Sequence, residues 1–161
     1  MKGFTLVELL VVVAILGVLA AVGIVSFGGL LGNSKANATK TNHANITKFI
    51  QASLMKCTLG DTNISLKNEN GGNAPLACSD VSVSNASAVV NAFYYHFKGE
   101  KWMNPYNTST YAIGTTNGCN DNEAILGSSN LSPRDSGTTI EILSKYNSSN
   151  TDCLVSKVTI E

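Results

Sequence analysis

The sequence predicts an α+β protein, with one long N-terminal helix packed against a small antiparallel β-sheet head of about four strands, stabilised by disulfides. Three observations predict it: an apolar run over residues 2–31, a stretch without glycine or proline over 33–57, and alternating apolar and polar residues near the C terminus. The 161 residues suffice for one head domain and a helical spine. The formal net charge is zero, so no global basic field attracts nucleic acid.

The apolar run has the length of a membrane span and contains one carboxylate. The stretch from Leu9 to Leu31 contains about 23 residues, enough for a helix to cross a bilayer. Glu8 lies at the front of this run. A carboxylate costs about 2.5–3.5 kcal/mol at mid-membrane, so Glu8 needs a partner. A removable signal peptide explains the run poorly, because its apolar core is shorter. A plain single-pass anchor, with Lys2 on the cytoplasmic side, leaves Glu8 unexplained.

The segment Gly3-Phe4-Thr5-Leu6-Val7-Glu8-Leu9 resembles the processing site of type IV pilins and pseudopilins. In that family a membrane peptidase cuts after the glycine and methylates the new N-terminal residue. The resemblance implies cleavage after Gly3, N-methylation of Phe4 and a role for Glu8 in assembly. The new Phe4 amine of one subunit can neutralise Glu8 of its neighbour, and on a helix these two residues, four apart, share a face.

The spine is predicted to run from Phe4 to about Lys56, roughly 80 Å at 1.5 Å per residue. Thr58-Leu59-Gly60 ends it. The family tends to break this helix at a glycine and a proline; Gly17 stands in the first place and Val25 in the second. The predicted segments are a leader at 1–3, a hydrophobic helix at 4–32, its amphipathic continuation at 33–57 and a globular head at 58–161. The apolar positions of the continuation are Ala44, Ile46, Phe49, Ile50, Leu54 and Cys57.

The head is predicted to start with an irregular loop over residues 58–84. A short helix or strand follows at 85–97, then a turn at 102–107 whose Asn-Pro-Tyr element is similar to one in many pilin heads. The predicted antiparallel strands are Tyr111–Thr115, Glu123–Leu126, Thr138–Lys145 and Leu154–Ile160.

The four cysteines all follow the apolar run and show no zinc-binding spacing. An even number in an exported chain favours two disulfides, and three connectivities are open. We favour Cys57–Cys78, which clips the loop to the helix end, and Cys119–Cys153, which ties down the last strand. Pilins similarly enclose an exposed region with a bridge near the C terminus.

Other functional chemistry is weakly represented. The sequence contains no phosphate-binding loop and no nucleophile elbow, so we expect no enzyme, cofactor or metal site. The cluster 120–123 could supply oxygen ligands to calcium, but a solvated turn is favoured. The aromatic run 93–97 with Trp102 is expected in the core; stacking of single-stranded DNA on Tyr94 or Tyr95 is the alternative.

The sequence thus predicts a structural subunit of a type IV pilus, a homo-oligomeric helical filament serving motility, adhesion or DNA uptake. Its implied partners are the prepilin peptidase, the inner-membrane assembly platform and minor pilins, with surface, DNA or phage contacts unassigned. The precursor is expected in the inner membrane and the assembled protein in an extracellular filament. The alternatives are a pseudopilin of a type II secretion or competence system and a membrane-anchored ligand-binding protein that never polymerises.

Overall fold

The computed structural model describes residues 4–115, 125–148 and 153–160, without the side chains of 25–28. Contacts divide the chain into two compact units, Met1–Ser34 and Lys35–Glu161. The first unit contains the beginning of the long helix. The second contains the rest of that helix together with the α+β head.

Helix α1 runs over Leu6–Thr58, close to the predicted Phe4–Lys56. It ends in a left-handed residue, Gly60, with φ at +97°. The Gly60 N–H donates to the Cys57 carbonyl at 3.1 Å, and the Asp61 N–H donates to the Lys56 carbonyl at 3.0 Å. These two bonds satisfy carbonyls at the helix end in the Schellman arrangement, which glycine adopts without a Cβ penalty. The predicted stop at this glycine is confirmed.

The head-facing side of α1 differs from the prediction at one position. Ile46, Ile50 and Leu54 are buried as expected, whereas Ala44 is exposed and the prediction for it is wrong. The buried stripe instead continues toward the N terminus through His43 and Thr39, at helical spacings of three and four residues. The apolar pattern missed these positions because their side chains are polar.

The segment between α1 and the sheet is more ordered than predicted. It contains a two-stranded antiparallel ladder, β1 Asn63–Ile64 with β2 Leu76–Ala77, and 3₁₀ turns at Cys78–Asp80 and Val83–Asn85. Helix α2 then spans Ala86–Gly99, which decides the helix-or-strand alternative in favour of the helix. Its buried residues include Val89, Val90, Phe93 and Phe97, all anticipated from the sequence.

The main sheet has four strands in the order β3-β4-β5-β6: Ile113–Gly114, Ser129–Arg134, Thr139–Lys145 and Cys153–Thr159. Strands β4, β5 and β6 pair antiparallel as predicted, but β3 pairs parallel to β4. The expectation of a wholly antiparallel sheet is therefore wrong for β3. The segment between Gly114 and Ser129 is long enough for the crossover that parallel neighbours need.

The second predicted strand, Glu123–Leu126, is misplaced. Its first two residues lie outside the described part, and Ile125 and Leu126 belong to a loop and a turn. The strand occurs later, over the polar sequence Ser129–Arg134. Its buried Ser129 has a hydrogen-bond partner, because Ser129 Oγ lies 2.6 Å from Ser144 Oγ.

One face of the sheet builds the core of the head. Leu131, Ile142 and Ser156 are neighbours across three strands, and the next row on the same face contains Ile140 and Val158. These apolar residues join one cluster with the buried residues of α1 and α2. Both helices therefore contribute to the core on this face of the sheet.

A polar network lies inside the contact between α1 and the sheet. The two ring nitrogens of His43 are 2.8 Å from Ser144 Oγ on β5 and 2.8 Å from Ser156 Oγ on β6. Burial lowers the pKa of His43 below its ordinary value, which favours the neutral ring. A neutral imidazole has one donor and one acceptor, so it can bond both hydroxyls at once. His43 thus joins the helix to two strands.

The structure tests one of the two predicted disulfides and confirms it. Cys57, in the last turn of α1, is bonded to Cys78 with the two Cα atoms 5.3 Å apart. Cys153 at the start of β6 is also disulfide-bonded. Its predicted partner, Cys119, lies outside the described residues, so the Cys119–Cys153 pairing stays a prediction.

Candidate processing and assembly site

The site begins at the first turn of α1, where Thr5 is the N-cap. The Thr5 carbonyl accepts the first helical hydrogen bond, from the Leu9 N–H at 3.3 Å. The Thr5 hydroxyl oxygen lies 3.3 Å from the Glu8 N–H, and the Thr5 N–H donates to Glu8 Oε2 at 2.8 Å. This reciprocal arrangement is a capping box, which satisfies two of the amide donors that a helix start leaves unpaired.

Glu8 therefore has partners within its own chain. The Thr5 hydroxyl is also 2.7 Å from Glu8 Oε2, so both Thr5 donors converge on a single carboxylate oxygen. For the described residues, no hydrogen bond or ion pair is recorded at the other oxygen, Oε1. The carboxylate is held in place by the cap.

The helix starts later than the sequence predicted, and this moves Phe4. It precedes the N-cap, so it lies before the first helical turn and does not share a helix face with Glu8 as predicted. Its side chain is exposed. Gly3, the predicted cleavage position, lies outside the described residues.

The helix that follows presents an uncovered apolar surface. Its large apolar side chains from Phe4 to Leu31, where described, are between 46% and 80% exposed. Helix α1 is long and apolar enough to cross a membrane, and its most apolar window has none of its surface buried. Fully burying one such side chain contributes about 1.5–3 kcal/mol, so covering this surface is favoured by tens of kcal/mol.

Comparison with known protein families identifies this N-terminal region. Residues 1–24 match the family described as the prokaryotic N-terminal methylation motif. The chain carries the type IV prepilin and pseudopilin leader signature. No curated protein and no solved structure matches the chain significantly. The prepilin signature and the apolar helix fit a membrane-anchored precursor, with the kind of filament assembly and peptidase processing that this motif implies in general.

The aromatic run of the head is mainly core, as expected. Phe93 and Phe97 are fully buried, and His96 stacks on Phe49 with ring centroids 4.6 Å apart. His96 Nδ1 accepts the Lys67 backbone N–H at 3.1 Å, and burial is the largest cause that lowers its pKa. This histidine is a satisfied interior residue.

The tyrosines of the alternative nucleic-acid surface are only partly available. Tyr95 is 42% exposed, and Tyr94 is half-buried. Lys98, whose ammonium lies 5.4 Å from the Tyr94 ring centroid, is paired with Glu69. That carboxylate neutralises the cation nearest to Tyr94, whereas single-strand binding uses unpaired positive charge beside the rings. The calcium alternative at 120–123 lies outside the described residues.

Sequence reasoning missed Thr5, although its signal was present. Thr5 and Glu8 stand three residues apart immediately before an apolar run, which is the spacing of a capping box. The Asn-Pro-Tyr element was recognised only as a turn. In the structure Asn104 is fully buried, its amide donates to the Leu126 carbonyl at 2.8 Å, and its Oδ1 accepts the Tyr106 N–H at 2.8 Å.

Proposed function

We propose that this chain is the structural subunit of a type IV pilus, stored in the inner membrane and assembled into an extracellular filament through its N-terminal helix. The observation that supports this most is the prepilin signature joined to an apolar helix surface that stays exposed. A bilayer covers that surface in the precursor, and identical helices cover it in a filament. The chain acts as a building block, and the peptidase and assembly machinery carry out the chemistry.

The capping box suggests how the Glu8 carboxylate is satisfied both in the membrane precursor and in the filament. In the precursor, Glu8 completes the first turn through Oε2, which satisfies donors that hydrocarbon would leave unpaired. Cleavage after Gly3 then exposes a cationic amine at Phe4. In the filament, Glu8 Oε1 accepts the amine of a neighbouring subunit while Oε2 keeps its bonds to Thr5. A buried charge is costly alone, but when it is paired it can fix the axial register between neighbouring helices.

The four cysteines and the Asn-, Ser- and Thr-rich composition after residue 32 support a pilin rather than a secretion or competence pseudopilin. Long filaments recovered by shearing cells would agree with the pilin. A short periplasmic assembly would favour the pseudopilin, and a chain that never polymerises would favour the anchored binding protein.

Two substitutions at Glu8 separate its roles. Glu8→Ala removes both the cap and the charge, whereas Glu8→Gln keeps a side-chain oxygen for the cap and removes only the charge. Breaking one partner of a buried ion pair costs about 3–5 kcal/mol. We therefore expect both variants to accumulate as membrane precursor and to lose sheared filaments by at least about a hundredfold.

The assay is immunoblotting of membrane and sheared fractions, with electron microscopy of the latter. Exposed Ala44→Ser is the matched control and should assemble like the parent chain. If Glu8→Gln assembled normally, the charge pair would be excluded. If Glu8→Ala also assembled normally, the proposed role of Glu8 in polymerisation would be wrong.

A further inference from the structure

Two lysines and two tyrosines form a continuous surface at the start of the head. The Lys40 ammonium lies 4.3 Å from the ring centroid of Tyr146, and the Lys35 ammonium lies 5.8 Å from that of Tyr106. The Tyr106 hydroxyl donates to the Tyr146 carbonyl at 2.6 Å, which ties the two tyrosine segments together. We call these four residues the lysine–tyrosine surface. Both lysines come from α1, whereas both tyrosines come from distant parts of the head.

Within the described part of the chain, no carboxylate is paired with the lysines of this surface. In the sequence, no carboxylate lies between Glu8 and Asp61, while Lys35, Lys40, Lys48 and Lys56 all lie there. Among the described residues, the recorded ion pairs join other partners and leave both lysines of the surface without a carboxylate. An ammonium over a tyrosine ring is attracted to the ring face and still has N–H donors for an anion.

The position of these lysines along the chain favours a lipid headgroup as the anion that they bind. Lys35 and Lys40 follow Leu31, the end of the apolar run, by four and nine residues. At the helical rise these separations correspond to about 6 and 13 Å. The polar layer on each side of the hydrocarbon is about 5–8 Å thick, and lysine side chains bend toward it. Tyrosine and lysine are also the residues that anchor proteins at this interface.

We propose that the lysine–tyrosine surface binds the phosphate groups of anionic phospholipids while the precursor is stored in the membrane. This inference rests on the proposed membrane-stored pilin precursor. The tyrosine rings hold the two ammonium groups in place, so less side-chain entropy is lost when a headgroup binds. The contact holds the head at the outer leaflet until the subunit is extracted into the filament.

Two other partners fit this surface less well. Binding of nucleic acid depends on many phosphate contacts, and this surface offers only two cations. A second copy of the chain could offer carboxylates to the lysines, but the short distance from the apolar run favours the membrane.

The experiment uses the full chain in vesicles of phosphatidylcholine, alone or mixed with phosphatidylglycerol, with a nitroxide on the headgroup of a tracer lipid. The five tyrosines are replaced by 3-fluorotyrosine, and their fluorine signals are assigned through single Tyr→Phe variants. A nearby nitroxide broadens a fluorine signal. The three tyrosines outside the surface, Tyr94, Tyr95 and Tyr111, are internal references.

Two pairs of substitutions remove equal charge from α1. Lys35→Gln with Lys40→Gln removes the proposed contacts, and Lys48→Gln with Lys56→Gln is the matched control further from the apolar run. Each lysine near an anionic surface contributes roughly fivefold to binding, so losing both should weaken docking about 25-fold. We expect phosphatidylglycerol to increase the broadening of Tyr106 and Tyr146 in the parent chain and the control pair. In the Lys35/Lys40 pair this increase should disappear, and salt should reduce it in the parent chain.

Each other outcome overturns the proposal. Equal broadening with and without phosphatidylglycerol would show proximity without recognition of the headgroup. Dependence on the protein-to-lipid ratio alone would assign the surface to a second copy, and docking only after added oligonucleotide would assign it to nucleic acid. A chain that inserts but does not dock contradicts only this inference, whereas a chain that fails to insert contradicts the proposed function as well.

Discussion

The contact between α1 and the sheet depends on His43, and its substitution gives the most informative stability measurement. His43→Leu keeps a side chain of similar size but removes the bonds to Ser144 and Ser156. Each lost hydrogen bond costs about 1 kcal/mol, and a buried hydroxyl left without its partner costs about 1–3 kcal/mol. Ser144 keeps its contact with Ser129 and Ser156 is only half-buried, which limits the second cost. The expected loss in the free energy of unfolding is therefore about 2–4 kcal/mol.

Lowering the pH should also reduce the free energy of unfolding of the parent chain, but by less than the His43→Leu substitution does. The unfolded chain binds a proton at His43 with the ordinary pKa near 6.5, whereas the folded chain binds it at a lower pH. Between these two values the unfolded state carries more protons, so the free energy of unfolding falls as the pH falls. The lowered pKa of His96 adds to this slope in the same direction. In His43→Leu the part of the slope that belongs to His43 should vanish.

The assay is denaturant unfolding of the full chain in detergent micelles, followed by the fluorescence of the single tryptophan, Trp102. Exposed Ala44→Ser, one residue away on the same helix, is the control and should stay within about 0.5 kcal/mol of the parent. A loss below about 1 kcal/mol for His43→Leu, with an unchanged pH slope, would refute this reasoning. It would show that His43 does not join the helix to the sheet.

Three further substitutions test local features of the fold. Thr5→Ala removes the N-cap and should destabilise the first turn of α1 by about 1 kcal/mol, seen as roughly fivefold faster amide exchange there; Thr5→Ser should not. Replacing Cys57 and Cys78 together by serine should lower the free energy of unfolding by roughly 3 kcal/mol in the same denaturant assay, and no change would show that the bridge is dispensable. Gly127→Ala places a Cβ in steric conflict with Asn104 Oδ1 at a φ of +86°, so about 2 kcal/mol or more should be lost. Unchanged stability of this variant would contradict the close packing of the glycine on that amide.

Much of the fold could be predicted because local patterns encode it. The helical spine follows from an apolar run and an amphipathic continuation, and its end is specified by one glycine with a left-handed conformation. Strands β5 and β6 were placed within a residue or two by their alternation. The Cys57–Cys78 bridge could be proposed because Cys57 lies at the end of the predicted helix and Cys78 lies in the loop that follows it.

The missed features depend on contacts between distant parts of the chain. Strand β4 is polar, and the hydroxyl of its buried Ser129 finds a partner in Ser144 of β5. His43 belongs to the buried stripe only because Ser144 and Ser156 meet it from more than a hundred residues away. A pattern of hydrophobicity cannot anticipate such pairs, since each member is costly to bury alone. The parallel pairing of β3 likewise depends on the path of a connection and not on the residues of the strand.

At the candidate site, the sequence predicted which residues are processed or take part in assembly, but it did not predict the capping box that holds Glu8. The motif around Gly3 and Glu8 predicted the processing and the assembly role, both of which stay predictions for these residues. The sequence alone predicts that Glu8 needs a partner from another subunit. The capping box with Thr5 adds a partner within the chain for one of its two carboxylate oxygens.

The central claim is that the chain is cut, methylated and built into a filament. The most direct measurement is the intact mass of the chain in filaments sheared from cells. We expect the mass of residues 4–161 with one added methyl group and four hydrogens fewer, because both disulfides are formed. A chain that kept residues 1–3, or that was cut after the apolar run, would contradict it.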